Sequence, residues 1–98
     1  MLEIYDNYNY NPYDIVILVN VDHNEKKFHL ASTRENKLDR LLEKNYMELM
    51  RVKTRSEATG KIAFFNIMYK ALGYTFNKDL RQWYYKSKQE KYKKEETA

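Results

Sequence analysis

The clearest pattern of apolar and polar positions is the short run DIVILVNV at positions 14–21. Its residues are mostly β-branched and turn-forming residues flank it, which is typical of a β-strand. The apolar side chains at odd positions share one face, while Val16 and Leu18 lie on the other. The pattern therefore predicts a central strand that is covered on both faces.

The residues around this strand predict a β-hairpin over 14–31. The sequence DHNE at 22–25 forms the turn, and 26–31 returns as the partner strand with Phe28 and Leu30 facing the core. Residues 1–13 are rich in Tyr and Asn and contain Pro12, so they are interpreted as a turn-rich lead-in.

Helical periodicity dominates the rest of the chain and predicts helices over 32–52, 54–72 and 77–92. Ser32 with Glu35 and Thr54 with Glu57 each have the spacing of a capping box, and Gly73 is placed to end the second helix. Residues 93–98 are mostly charged, and we expect a disordered tail there. The sequence thus predicts a single α+β domain, a small antiparallel sheet followed by three α-helices. The sheet is either the hairpin alone or a three-stranded sheet with a short edge strand near the N-terminus.

The second predicted helix is apolar on two opposite sides. Ala58, Ile62 and Phe65 belong to one stripe, and Phe64 and Ile67 belong to the other. A helix that is apolar on two opposite sides must be packed against a partner on each of them. It is therefore either packed between the sheet and its neighbouring helices or half of a subunit interface, so a homodimer through 54–72 is expected.

The amino-acid composition excludes several classes of function for this chain. The chain has no cysteine and only two glycines, which excludes disulfides, thiolate chemistry and glycine-rich phosphate loops. No apolar run is long enough to span a membrane and no secretory signal is present, so a cytoplasmic protein is expected. Abundant Lys, Asn and Tyr fit an AT-rich phage or mobile-element origin.

Charge is unevenly distributed along the chain. Residues 1–25 carry five acidic residues and no Lys or Arg, whereas residues 26–98 carry eighteen basic residues against nine acidic ones. The net positive charge of residues 26–98 favours nucleic acid or an acidic protein surface as a partner.

The strongest candidate binding surface is the basic, aromatic third helix. Lysines neutralise phosphates and tyrosines stack on unpaired bases. The predicted nucleic-acid or partner-binding residues are Arg81, Tyr84, Tyr85, Lys86, Lys88, Lys91, Tyr92 and Lys93. The structural alternative is a solvated helix whose aromatic residues form its core side.

Two further groups of residues have the types that a functional site would use. The segment KALGYTFNKDL resembles the turn of a helix-turn-helix motif, although Asp79 stands where an apolar residue is expected. His23 and His29 near several lysines could serve a ribonuclease as acid and base, but no third residue completes a metal site.

These features predict a small non-enzymatic binding protein without a metal or cofactor. It would act on nucleic acid or on a nucleic-acid-handling complex, for example as an anti-CRISPR-like inhibitor of host defence. The alternatives are a dimeric DNA-binding regulator that uses the helix-turn-helix-like hairpin, and a small ribonuclease toxin that uses His23 or His29.

Overall fold

A four-stranded sheet forms the centre of the structure. The computed structural model describes the backbone of residues 13–97 and the side chains of residues 13–88. The strands are β1 (Ile15–Asp22), β2 (Lys27–Arg34), β3 (Met47–Val52) and β4 (Thr75–Phe76), in the spatial order β3-β1-β2-β4. β1 pairs antiparallel with β2 and β3, and the short β4 pairs parallel with β2.

The prediction of a central strand is confirmed. β1 has a hydrogen-bonded neighbour on each edge, and Val16, Ile17, Leu18 and Val19 are completely buried. The loop to β2 comprises residues 23–26, where Asp22 Oδ1 accepts the backbone N–H groups of both Asn24 and Glu25.

The predicted helix over 32–52 is wrong. Ser32 continues β2 as far as Arg34, a single 3-10 turn covers Glu35–Lys37, and the only α-helical part is α1 (Asp39–Glu43). The chain then forms β3, which supplies the hydrogen bonds that the second edge of β1 requires. Closing this edge of the sheet overrides the helical spacing of the leucines.

Asn45 ends α1 at the point where the periodic pattern predicted more helix. Its φ of 65° lies in the left-handed region, which Asn tolerates better than most residues. The N–H of Asn45 donates to the Leu42 carbonyl and that of Tyr46 donates to the Leu41 carbonyl, which is the bond pattern of a left-handed helix C-terminus.

The second long helix, α2 (Arg55–Ala71), has both predicted end signals. The Glu57 N–H donates to Thr54 Oγ1 at 3.1 Å, as the capping box predicts. At the other end Gly73 has a φ of 95°, and Tyr74 folds back so that its ring meets that of Tyr69 at 5.9 Å.

Helices cover the two faces of the sheet separately. One core lies between the sheet, α1 and the last helix, α3 (Lys78–Thr97), and the other lies under α2. The first core comprises Val16, Leu18, Ala31, Leu41, Tyr46 and Tyr84. The second comprises Ile15, Ile17, Val52 and Ala58.

Within the described structure only one side of α2 is packed. This differs from the alternative in which α2 lies between the sheet and its neighbouring helices and is covered on two sides. Ala58 is buried and Ile62 and Phe65 pack on the sheet, but Phe64 and Ile67 are exposed among the described residues. The sheet occupies one face of α2, and α3 lies across the sheet from it.

The helix-turn-helix that the regulator alternative requires is not formed by α2 and α3. Six residues separate α2 from α3, and two of them form β4 against β2. The two helices consequently lie on opposite faces of the sheet rather than against each other.

α3 begins one residue later than predicted and extends to Thr97. No helix in the described part of the chain is long and apolar enough to cross a membrane.

Candidate anion-binding cleft

α3 carries all eight predicted binding residues, but it does not present them on one surface. Asn77 begins the helix by accepting the Leu80 N–H on its side-chain oxygen. The side chains of Lys91, Tyr92 and Lys93 lie outside the part of the chain whose side chains the structure describes. The remaining five divide between the core, a cleft and an exposed patch.

Tyr84 belongs to the core and cannot act as a stacking platform. It is 7% exposed, its ring meets that of His29, and its hydroxyl donates a hydrogen bond to the Ser32 carbonyl. Because β4 is only two residues long, part of the β2 edge has no strand partner. The hydrogen bond from Tyr84 satisfies a carbonyl group on that part of the edge. The core interpretation is therefore correct for Tyr84.

Among the described residues, Tyr85 is the predicted aromatic binding residue whose side chain is exposed. It is 53% exposed, and the Arg81 guanidinium lies 5.9 Å from its ring centroid. Together with Lys78, Gln82 and Lys86 these residues line a shallow depression on the outer side of α3. Lys88 points elsewhere, since its ammonium lies 4.6 Å from the centroid of the Tyr84 ring.

A deeper site lies where α2 and α3 approach the end of β2. This site, called the basic cleft below, has a volume of about 360 Å³. Among the described residues, its lining includes no acidic residue but five basic ones, which come from separate parts of the fold: Arg34, Lys37, Arg40, Arg55 and Lys88. Ser32, Thr33 and Thr59 add hydroxyl groups to the wall.

Local structure explains how these five residues converge. Arg34 ends β2, Lys37 is in the 3-10 turn that follows, and Arg40 is on α1. Arg55 is the first residue of α2, where helix N–H groups also favour an anion. Lys88 reaches the cleft from α3 one turn beyond Tyr84.

Three acidic residues, Glu35, Glu48 and Asp14, form ion pairs with bases outside the cleft. Arg51 pairs with Glu35 and, at 2.8 Å, with Glu48, while Lys53 pairs with the buried Asp14 at 2.9 Å. Among the described residues, none of the five cleft bases forms an ion pair, although the Arg34 side chain donates to the Tyr13 carbonyl. The cleft therefore concentrates positive charge that no acidic side chain of the described residues pairs with.

The two histidines are not brought together. His23 Nδ1 shares a 2.7 Å hydrogen bond with the Tyr74 hydroxyl at the exposed turn, whereas His29 Nδ1 shares a 2.6 Å hydrogen bond with Tyr46 inside the α3-side core. Burial, with a smaller contribution from Arg81, lowers the pKa of His29 to about 4. His29 is therefore neutral at physiological pH, and the ribonuclease hypothesis loses its paired acid and base.

Burial raises the pKa of Tyr46, and the neighbouring Tyr84 adds to the effect. Tyr46 consequently keeps its proton and its hydrogen bond with His29. Among the described residues no group of three or more acidic or histidine side chains is placed to hold a metal ion.

Sequence reasoning missed four of the five cleft bases. Arg34, Lys37 and Arg40 recur every three residues, and this spacing was interpreted as the solvated face of a helix over 32–52. Arg55 lies at the start of the predicted helix over 54–72, where its sequence neighbours give no sign of a binding site. The regular spacing of these basic residues is visible in the sequence. Their side chains line one cleft only because the chain does not form a continuous helix over 32–52.

Comparison with known proteins adds no assignment to this geometry. No protein-family model, curated protein or solved structure matches the chain.

Proposed function

We propose that this protein is a non-enzymatic binding protein that holds the phosphate backbone of a nucleic acid in the basic cleft. The observation that carries the proposal is the lining of the cleft, to which the described part of the chain contributes five basic residues and no acidic one. A concave site with one sign of charge and low-dielectric walls focuses the electrostatic potential and attracts anions. The cleft is also within the size range of ordinary ligand pockets.

The composition of the cleft favours a phosphate over a carboxylate or an apolar ligand. Three of the five bases are arginines, whose planar guanidinium groups bind phosphate oxygens in pairs. Thr33 in the lining supplies a hydroxyl group, a neutral donor of the kind that commonly contacts phosphate and sugar groups. The exposed Tyr85 with Arg81 offers a place where an unpaired base could stack.

This proposal keeps the nucleic-acid part of the sequence-based hypothesis and moves its main surface. Lys88 stays in the site and Arg81, Tyr85 and Lys86 form an accessory patch, while Tyr84 supports the cleft from the core. The inhibitor form of the hypothesis, and a phage or mobile-element origin, stay predictions from composition. The regulator alternative no longer has a helix-turn-helix to support it.

The proposal is tested by fluorescence anisotropy with labelled single-stranded and duplex oligonucleotides of about 20 nucleotides. The test variant is Lys37→Glu with Arg55→Glu, which removes two cleft bases whose side chains are exposed. The control variant, Lys27→Glu with Lys61→Glu, changes the net charge equally at exposed positions outside the cleft.

We expect the cleft variant to lose at least about tenfold in affinity and the control to lose much less. The slope of log affinity against log salt concentration should decrease by about 0.7 for each lost phosphate contact on a single strand. Equal losses in both variants would mean that net charge and not the cleft drives binding. Absence of binding to every oligonucleotide at low salt would reject the proposed function.

A further inference from the structure

The outward face of α2 is an apolar stripe without a cover in the described structure. At 100° per residue, five exposed residues fall within one sector, opposite to the side chains that pack on the sheet. The stripe comprises Gly60, Ala63, Phe64, Ile67 and Ala71. Phe64 is 59% exposed and Ile67 is 69% exposed, so the largest side chains of the stripe are mostly in water.

Among the described residues of a single copy, no neighbour of Gly60 explains a glycine at this position. It lies inside α2 with helical backbone, and a Cβ placed there meets no atom within 4 Å. Glycine is the least favourable helix-interior residue after proline. What a glycine does provide is a flat place where a second helix can approach closely.

We propose that this stripe is the interface with a second copy of the chain, with the two α2 helices packed antiparallel. A two-fold axis between positions 63 and 64 makes the stripe complementary to itself. Gly60 then faces the partner's Ile67, and Ala63 faces the partner's Phe64, so each large side chain meets a small one. A self-complementary patch of this kind is what a symmetric dimer requires.

The exposed area agrees with a dimer of modest affinity. Phe64 and Ile67 with their small neighbours present on the order of 400 Å² of apolar surface per copy. Pairing two copies buries on the order of 800 Å², which is below the roughly 1,200 Å² of stable interfaces and falls in the range of weak, transient ones. The stripe contains no charged residue, so a nucleic acid or a charged peptide would gain little there. The inference is independent of the proposed function of the cleft.

The test is sedimentation equilibrium of the full chain from about 1 to about 500 µM. We expect the weight-average mass to rise from 12.0 kDa toward twice that value with increasing concentration. Ile67→Glu and Gly60→Leu should each abolish this rise, the first by charging the interface and the second by filling the close approach. Circular dichroism verifies that both variants remain folded.

Met47→Glu is the matched control, because Met47 is as exposed as Phe64 but lies on β3. It should leave the dimer unchanged. A wild-type chain that stays at 12.0 kDa over the whole range would overturn the inference, including the case in which another part of the same chain covers the stripe. A dimer that survives Gly60→Leu and Ile67→Glu, or that Met47→Glu dissociates, would also overturn it.

Discussion

Buried His29 makes the stability of this protein depend on pH. The imidazole is 5% exposed, is hydrogen bonded with Tyr46 and contacts the Tyr84 ring, and its pKa is lowered to about 4 from 6.5. Between pH 6.5 and about pH 4 the unfolded chain binds a proton at this position that the folded chain does not bind. Stability is therefore complete above pH 6.5 and is lost as the pH falls toward 4.

The size of the effect follows from the two pKa values. Each pH unit inside the window changes the free energy of unfolding by about 1.4 kcal/mol. Between about pH 7 and about pH 5, His29 should therefore account for a loss of about 2 kcal/mol. Partial hydration of the imidazolium in the folded state would reduce this figure, so it is an upper value.

Urea unfolding at the two pH values measures this loss. The single tryptophan, Trp83, reports on the correct region because its ring stacks on that of Tyr46. Carboxylates also titrate in this range, so the informative quantity is the difference between the wild type and His29→Gln. We expect His29→Gln to be less stable at pH 7 but to lose about 2 kcal/mol less on acidification.

His23→Gln serves as the control, since His23 lies in the exposed turn. It should retain the wild-type pH dependence. An NMR titration that gives His29 a pKa near 6.5, or an unchanged pH dependence in His29→Gln, would refute the reasoning.

Three further predictions concern stability. Thr54→Ala removes the cap that accepts the Glu57 N–H and should cost about 1 kcal/mol, measured by chemical unfolding with Thr54→Ser as the conservative control. Gly73→Ala places a side chain at a φ of 95° and should cost about 1 kcal/mol or more, whereas an unchanged unfolding midpoint would show that the cap can relax. Leu18→Ala removes a completely buried side chain of β1 and should cost about 2–5 kcal/mol, while Leu42→Ala, 45% exposed, should cost much less.

Local signals in the sequence were sufficient where neighbouring residues decide the structure. The β-branched run of β1 predicted a strand that is buried on both faces, and Thr54, Glu57 and Gly73 marked the ends of α2 within one residue. Each of these features depends on hydrogen bonds or side-chain preferences within a few residues. They are therefore visible in one sequence.

The region 32–52 shows where such reasoning stops. The spacing of Leu38, Leu41 and Leu42 fits a helix, but the free edge of β1 needs hydrogen bonds that only an extended segment can supply. Asn45 was the one local sign of a break. The two-residue β4 likewise exists because β2 lies beside it, since Thr75 and Phe76 alone carry no strand pattern.

The candidate site was determined almost entirely by tertiary structure. The sequence established a basic, aromatic chain without the residues of most catalytic centres, and it placed Lys88 on the binding helix. It could not predict that Arg34, Lys37, Arg40 and Arg55 share one cleft, because these residues belong to four separate local structures. Nor could it show which of two apolar stripes on α2 faces the sheet, because periodicity identifies faces and only packing decides which one is covered.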